Sequence, residues 1–281
     1  MAHRDYWALK VWYAYYGAQL GHQNLFIIEH GHDPRYRRLF PKANFVTYPR
    51  DLTGQSFDAE RYDFMDVIQA ELCRDYSHII RTDADEIIAY DVKRYDGFES
   101  LAAQCDGFLM ATGLQLVDDG RNLFRGPGDI RLPKRAVFDS RYSKAWLTDG
   151  DWKLRDHGVV AKPGHHRSVS HHLLEGVYLL HMKYANASAL EQQSAVRAGV
   201  LSRDDANNLT QMWGNDATYH ALIEKHAAGE LRDFARLDAL ARDHAVTNTQ
   251  ASDDTKIFRI KRGFWKGPAH LPRRVIRSMQ E

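Results

Sequence analysis

Three acids fall within four positions at Asp83-Ala84-Asp85-Glu86, between the apolar pairs Ile79-Ile80 and Ile87-Ile88. Carboxylates set among buried apolar residues are costly unless something neutralises them. A divalent cation that prefers hard oxygen ligands, Mn2+ or Mg2+, is the simplest neutraliser. Side chains alternate with period two along an extended segment. Asp83 and Asp85 are therefore expected on the same side, serving one metal or its bound waters, with Ala84 facing away. The competing reading is a solvated acidic turn after a strand, with no chemistry.

Two other stretches carry chemistry by composition. Five histidines lie between His157 and His172, with His181 just after. Their spacings match no standard zinc pattern, which favours structural or substrate-facing roles. Near the C-terminus, Lys256, Phe258, Arg259, Lys261, Arg262, Phe264, Trp265 and Lys266 interleave basic and aromatic residues. Such a segment suits an anionic membrane surface or a phosphorylated lipid. Equally, it can pack its aromatics on the body and leave its charges in water.

The elements that must position these residues follow from periodicity. Apolar and aromatic residues at spacings of three and four predict a helix over residues 5–20, stopped by Gly21. Leu25–Ile28 and Phe45–Tyr48 read as short buried strands, with a short helix at Pro34–Phe40 between them. A helix is expected over Asp58–Asp75 and a strand over Ser77–Ile80, leading into the acids. A further strand spans Gly107–Val117, and a Gly-, Pro- and Arg-rich loop spans Arg121–Arg135. Residues 136–184 read as strands joined by polar loops, and helices dominate from Ser188 to Ala245. Strands alternating with helices predict an α/β fold with a mostly parallel sheet, its ligands at the C-terminal strand ends. The expected organisation is a catalytic domain over 1–186, a helical extension over 187–250 and a basic aromatic tail over 251–281.

Composition narrows the function classes. The chain has 281 residues and a formal net charge of +1, so no global field points to nucleic acid. Two cysteines, Cys73 and Cys105, argue against a disulfide scaffold and a cysteine zinc site. With no signal-peptide pattern and no long apolar run, the expectation is a cytoplasmic protein, peripheral to the inner face of the membrane if the tail binds lipid.

Residues 4–184 resemble glycosyltransferases of the family 2-like group, which have the GT-A fold. Three segments carry the resemblance. Arg4-Asp5-Tyr6-Trp7 through Tyr15-Tyr16 to Leu20-Gly21 is similar to the family's opening helix. Leu25–Asp33 is similar to its next strand and turn, and Ile80–Glu86 to its "DaDE" form of the Asp-x-Asp motif. A weaker likeness is Leu179-Leu180-His181-Met182-Lys183-Tyr184, similar to a late "l-x-H-x-K" segment.

The resemblance implies transfer of a sugar from a nucleotide-diphosphate donor to an acceptor hydroxyl on a carbohydrate or lipid-linked acceptor, as in surface polysaccharide synthesis. Asp83 and Asp85 would hold the metal, Asp85 directly, with His181 as a further ligand. Asp5, Glu29 and Asp33 would meet the nucleoside, and Lys183 and Lys144, with Arg167, would offset phosphate charge. An inverting reaction needs a base, for which Asp149, Asp151, Asp156, His165 and His166 are the candidates. The chain departs from the family twice: only Met1-Ala2-His3 precede Arg4 where the family has a strand, and His30 and His32 replace its usual Asp and Ser. Two other readings compete. One is a metal-dependent nucleotidyltransferase or phosphohydrolase, which lacks the expected phosphate-cradling glycine loop. The other is a non-catalytic carbohydrate- or membrane-surface-binding module.

Overall fold

The computed structural model describes residues 1–49, 57–120, 131–150, 152–160, 162, 169–201, 216–251 and 257–280. The chain opens with helix α1 (Tyr6–Leu20), started by Asp5, whose side chain accepts from the Ala8 amide. Strand β1 (Phe26–His30), helix α2 (Pro34–Leu39) and strand β2 (Asn44–Tyr48) follow. β1 and β2 pair in parallel as a two-stranded ribbon. Ala2 adds a parallel bridge on the other edge of β1, opposite Glu29.

Helix α3 (Phe57–Leu72) leads to the short strand β3 (Ile79–Ile80), the acidic turn and strand β4 (Glu86–Tyr90). Then come α4 (Phe98–Ala102), β5 (Phe108–Leu116), β6 (Arg135–Asp139), β7 (Lys144–Thr148), β8 (Leu154–Arg155), β9 (Gly158–Val160), α5 (Val169–His172) and β10 (Leu173–His181). The chain ends with α6 (Ala187–Leu201), α7 (Asp216–Ala227), α8 (Phe234–Thr247), β11 (Thr249–Ala251), β12 (Ile257–Ile260), β13 (Trp265–His270) and α9 (Arg273–Arg277).

The central sheet has seven strands, with β5 as its spine. β10 runs parallel along one edge of β5 and carries β4 antiparallel on its far side. β7 and β6 lie end to end along the other edge. The turn Ser140–Tyr142 joins those two strands and crosses β5 closely at Gly113. A Cβ built there would fall 2.3 Å from the Tyr142 carbonyl carbon and 2.5 Å from the Ser143 nitrogen, so only glycine fits. A smaller antiparallel sheet, β11-β12-β9-β8, sits beside it.

This α/β architecture corrects one expectation. Among the described residues, strand pairing is parallel only in β1–β2, β5–β10 and the Ala2 bridge, and the remaining pairs are antiparallel. Apolar runs such as Gly107–Val117 indicate burial on both faces, but carry no information on the direction of a neighbour. The expected tail is a second correction. β13 is an edge strand of the central sheet, paired antiparallel with β6, and β12 pairs with β9. Phe234, Leu237 and Ala241 of α8 belong to the same apolar cluster as β4, β5 and β10. Among the described residues no helix is long and apolar enough to cross a membrane.

Candidate functional site

The acids sit where β3 hands over to β4. The segment is a turn, not an extended strand: the Glu86 amide donates to the Asp83 carbonyl at 3.1 Å, and the Asp83 amide donates to the Glu86 carboxylate at 2.9 Å. A turn breaks period-two alternation, so the expectation that Asp83 and Asp85 share a side fails. Asp83 faces Lys144 and Asp85 faces His181.

Helix α1 anchors this turn from above. Trp12 Nε1 donates to Thr82 Oγ1 at 2.9 Å, and the Ile88 amide donates to the Tyr16 hydroxyl at 3.0 Å. These bonds account for the aromatic stripe in the helix. Its aromatic bodies fill the core while their polar ends satisfy the motif and its strand.

On the Asp83 side, Lys144 opens β7 and is almost fully buried. Its Nζ lies 3.0 Å from Asp83 and 2.8 Å from Glu86. Lys144 is the main reason the Asp83 carboxyl is held well below the usual carboxylate range. Burial opposes the charge on Lys144, but Asp83 and Glu86 raise its pKa above the ordinary lysine value. Burial pushes the Glu86 carboxyl up, against the pull of Lys144.

On the Asp85 side, His181 closes β10. Its Nδ1 lies 2.6 Å from Gln115 Oε1, while Nε2 lies 3.2 Å from Asp85 Oδ2. Gln115 is oriented in turn: its Nε2 donates to Asp139 Oδ2 at 2.8 Å, leaving the amide oxygen toward the histidine. The other Asp139 oxygen accepts from the Arg141 amide at 2.9 Å, and burial raises that carboxyl's pKa. Tyr142 stacks on the imidazole at 3.9 Å between ring centres. Burial opposes ionisation of Asp85, yet His181 holds its carboxyl below the ordinary value.

This chain decides the tautomer. Gln115 presents an acceptor, so His181 Nδ1 carries the proton. Nε2 of a neutral ring then faces a carboxylate lone pair to lone pair. That contact is favourable only with a cation between or beside them: a second ring proton or a metal ion. Asp85 and His181 therefore fit a divalent metal as two protein ligands. Asp83 fits less well, because Lys144 already answers its charge. No group of three or more His, Cys, Asp or Glu side chains among the described residues is arranged to hold a metal. The remaining ligands would have to be water or phosphate oxygens, as is usual for Mg2+.

The other expected site residues divide. Asp5 and Lys183 line a small cavity, about 20 Å3, together with Asp85. Glu29 and Asp33 do not join them. Glu29 is fully buried and bonded to Arg37, Thr47 and the Asp33 amide. Burial works against its charge, but these partners lower its pKa to about 2. Asp33 caps α2 and bonds Arg35 and the Tyr6 hydroxyl, with Arg35 the main cause of its lowered pKa. Both acids therefore tie the ribbon to α1 and α2, apart from the cavity that Asp5 and Lys183 share with Asp85. Of the candidate bases, Asp149 is held by the Gly107 amide, and Asp156 lines the cavity beside Asp83. Asp151, His165, His166 and Arg167 lie outside the described residues.

Gln115, Asp139 and Tyr142 were not singled out from sequence. The one available signal is a polar residue inside a strand-length apolar run: Gln115 in Phe108–Leu116 and Asp139 after Ala136-Val137-Phe138. Comparison with known proteins adds nothing further: no family model, no curated protein and no solved structure matches the chain.

Proposed function

We propose that the chain is a metal-dependent glycosyltransferase with a GT-A-like arrangement around its acidic turn. It would move a sugar from a nucleotide-diphosphate donor to a hydroxyl of a carbohydrate or lipid-linked acceptor. The observation that carries this reading is the Asp85–His181 pair, with the second nitrogen of His181 committed to Gln115. A bound Mn2+ or Mg2+ would supply charge stabilisation to the departing diphosphate. Asp85 and His181 would hold it.

The chain's own residues do the rest. Gln115 and Asp139 fix the histidine's orientation. Lys144 keeps Asp83 and Glu86 from repelling an incoming anionic donor. Lys183, on the Asp85 side, offsets phosphate charge as a point cation.

The test is a screen of common sugar nucleotides for donor hydrolysis with and without Mn2+. Metal-dependent turnover that Asp85→Ala abolishes, with an unchanged circular dichroism spectrum, is expected. Turnover that survives in Asp85→Ala or in chelator would overturn the reading.

A further inference from the structure

β1 and β3 each turn one side of their backbone away from the strand they pair with. Around β1, the Leu25 carbonyl accepts from Asn44 and the Gly31 amide donates to Tyr48, so odd-numbered residues serve β2 and even-numbered ones face the other edge. On that edge Ala2 pairs in parallel: its amide donates to Ile28 at 2.8 Å and its carbonyl accepts from His30 at 2.9 Å. The Phe26 amide and carbonyl and the Ile28 amide have no partner among the described residues. In β3, Ile79 and Ile80 stand opposite Thr148 and Leu147 of β7, and the Arg81 amide donates to the Trp146 carbonyl at 2.8 Å. Residues 79 and 81 therefore serve β7. The Ile80 amide and carbonyl point the opposite way, again without a partner among the described residues.

A hollow of about 650 Å3 lies along these two free edges. Leu25 and Phe26 line it from the ribbon, Ile79 and Ile80 from the central sheet, and Trp12 and Leu20 from α1. Among the described residues, no β2 residue, lysine or arginine lines it. An extended residue inside a layered sheet takes up about 160 Å3, from a rise of ~3.3 Å, a strand spacing of ~4.8 Å and a layer spacing of ~10 Å. The hollow therefore holds about four such residues, which matches the stretch Leu25–Ile28 that precedes the Ala2 bridge. A hydrocarbon chain would leave the backbone groups of both edges unanswered, and a phosphorylated ligand would find no cation. A peptide strand answers both edges at once.

We propose that the hollow is a strand slot that binds an extended apolar peptide of a partner, about four residues long, parallel to β1 and in line with Ala2. One peptide residue, opposite Ile27, donates to the Phe26 carbonyl and accepts from the Ile28 amide. Its neighbour turns its backbone to Ile80. The occupant is apolar throughout, because a strand with covered faces buries successive side chains on both. This slot goes beyond the transferase reading and does not need it: peptide binding and metal-dependent turnover can each fail alone.

The experiment is calorimetric titration of the full chain with acetyl-Lys-Lys-Val-Ile-Val-Ile amide, followed by hydrogen exchange of backbone amides. Saturable binding is expected, with the Phe26, Ile28 and Ile80 amides protected at least tenfold in the complex. The changes are made in the peptide, so the fold of the protein is not at stake. Successive peptide amides face β1 and β3 in turn, so N-methylation of either of two neighbouring central residues is expected to weaken binding at least tenfold. Joining Val-Ile-Val-Ile directly before Met1 fills the slot from the Ala2 end and is expected to abolish binding of the free peptide. No saturable binding, or binding without protection of those amides, would overturn the proposal. So would a loss at only one of the two methylated positions, which marks a single open edge. A dodecyl chain on the same Lys-Lys head that binds as tightly would show a plain apolar pocket instead. Dimers that protect Phe26 and Ile28 without peptide would give the slot to a second copy and overturn the partner.

Discussion

Gln115 Oε1 lies 2.6 Å from Nδ1 of His181. That contact makes an amide on one strand the arbiter of what the neighbouring strand's imidazole offers Asp85. Gln115→Met removes it while nearly preserving volume. Mn2+ affinity is expected to fall by about 10- to 100-fold, the range for loss of an orienting partner. Nitrogen-15 spectra with Mg2+ bound should show a single Nδ1–H tautomer of His181 in the wild type and a mixture in the variant. An unchanged tautomer would show that Gln115 does not control it.

Acid should expose the ribbon first. Glu29 has its pKa lowered from 4.5 to about 2. A depressed carboxyl contributes stability that is fully present above the unfolded value and is lost as pH falls through the folded one. The window therefore runs from about pH 4.5 down to about 2. At about 1.4 kcal/mol per pKa unit, the contribution is on the order of 3 kcal/mol, less where the half-exposed Arg37 is screened by solvent. Glu29→Gln is expected to be less stable at pH 7 and to show a flatter loss of stability across that window, measured by urea melts at stepped pH. Parallel curves would remove Glu29 as the cause.

Gly113→Ala tests the crossing over β5. The added methyl meets backbone, not a movable side-chain end, so the β6–β7 turn must shift. A cost of about 1–3 kcal/mol is expected from overpacking, read as a lower thermal midpoint. Because Tyr142 and Asp139 flank that turn, Mn2+ affinity should fall with it. A neutral substitution would mean that the turn is pliable.

Removing residues 257–281 separates a tail from a strand. A surface tail would leave the fold intact, but β13 covers an edge of the central sheet and Ser278 Oγ accepts the Tyr90 amide. Loss of the cooperative melting transition is therefore expected. A truncated chain that melts as sharply as the full one would return the segment to the surface.

Much of the local structure was legible in the sequence, and the reasons are specific. α1, α3 and β5 announce themselves through apolar periodicity, and their observed bounds lie within a few residues of those expected. Direction of pairing did not, because β6 and β7 reach β5 through a turn whose only mark is Gly113, ordinary in isolation. The acids at 83–86 stand out in the sequence by residue type and apolar flanks, and His181 only through the family resemblance. The separation of Asp85 and His181 from Asp83 was not legible, since it depends on Lys144, 61 positions away in sequence, drawing one acid aside. Glu29 shows a related limit: nothing in the sequence says that an acid late in a buried strand is bonded to Arg37.

The ribbon β1–β2 shares no strand pairing with the seven-stranded sheet among the described residues. Between them, under α1, lies a largely apolar hollow of about 650 Å3, walled by Phe26 on one side and Ile79 and Ile80 on the other. The two bodies are thus joined by side chains, those of α1 together with Phe26 on Tyr76 and Tyr48 on Phe64 of α3, without a continuous backbone ladder among the described residues. Their amide protons should exchange with solvent on separate clocks, the ribbon's faster. Loosening Trp12 or Tyr16 would then be felt at the acidic turn as lost alignment well before the sheet itself gives way.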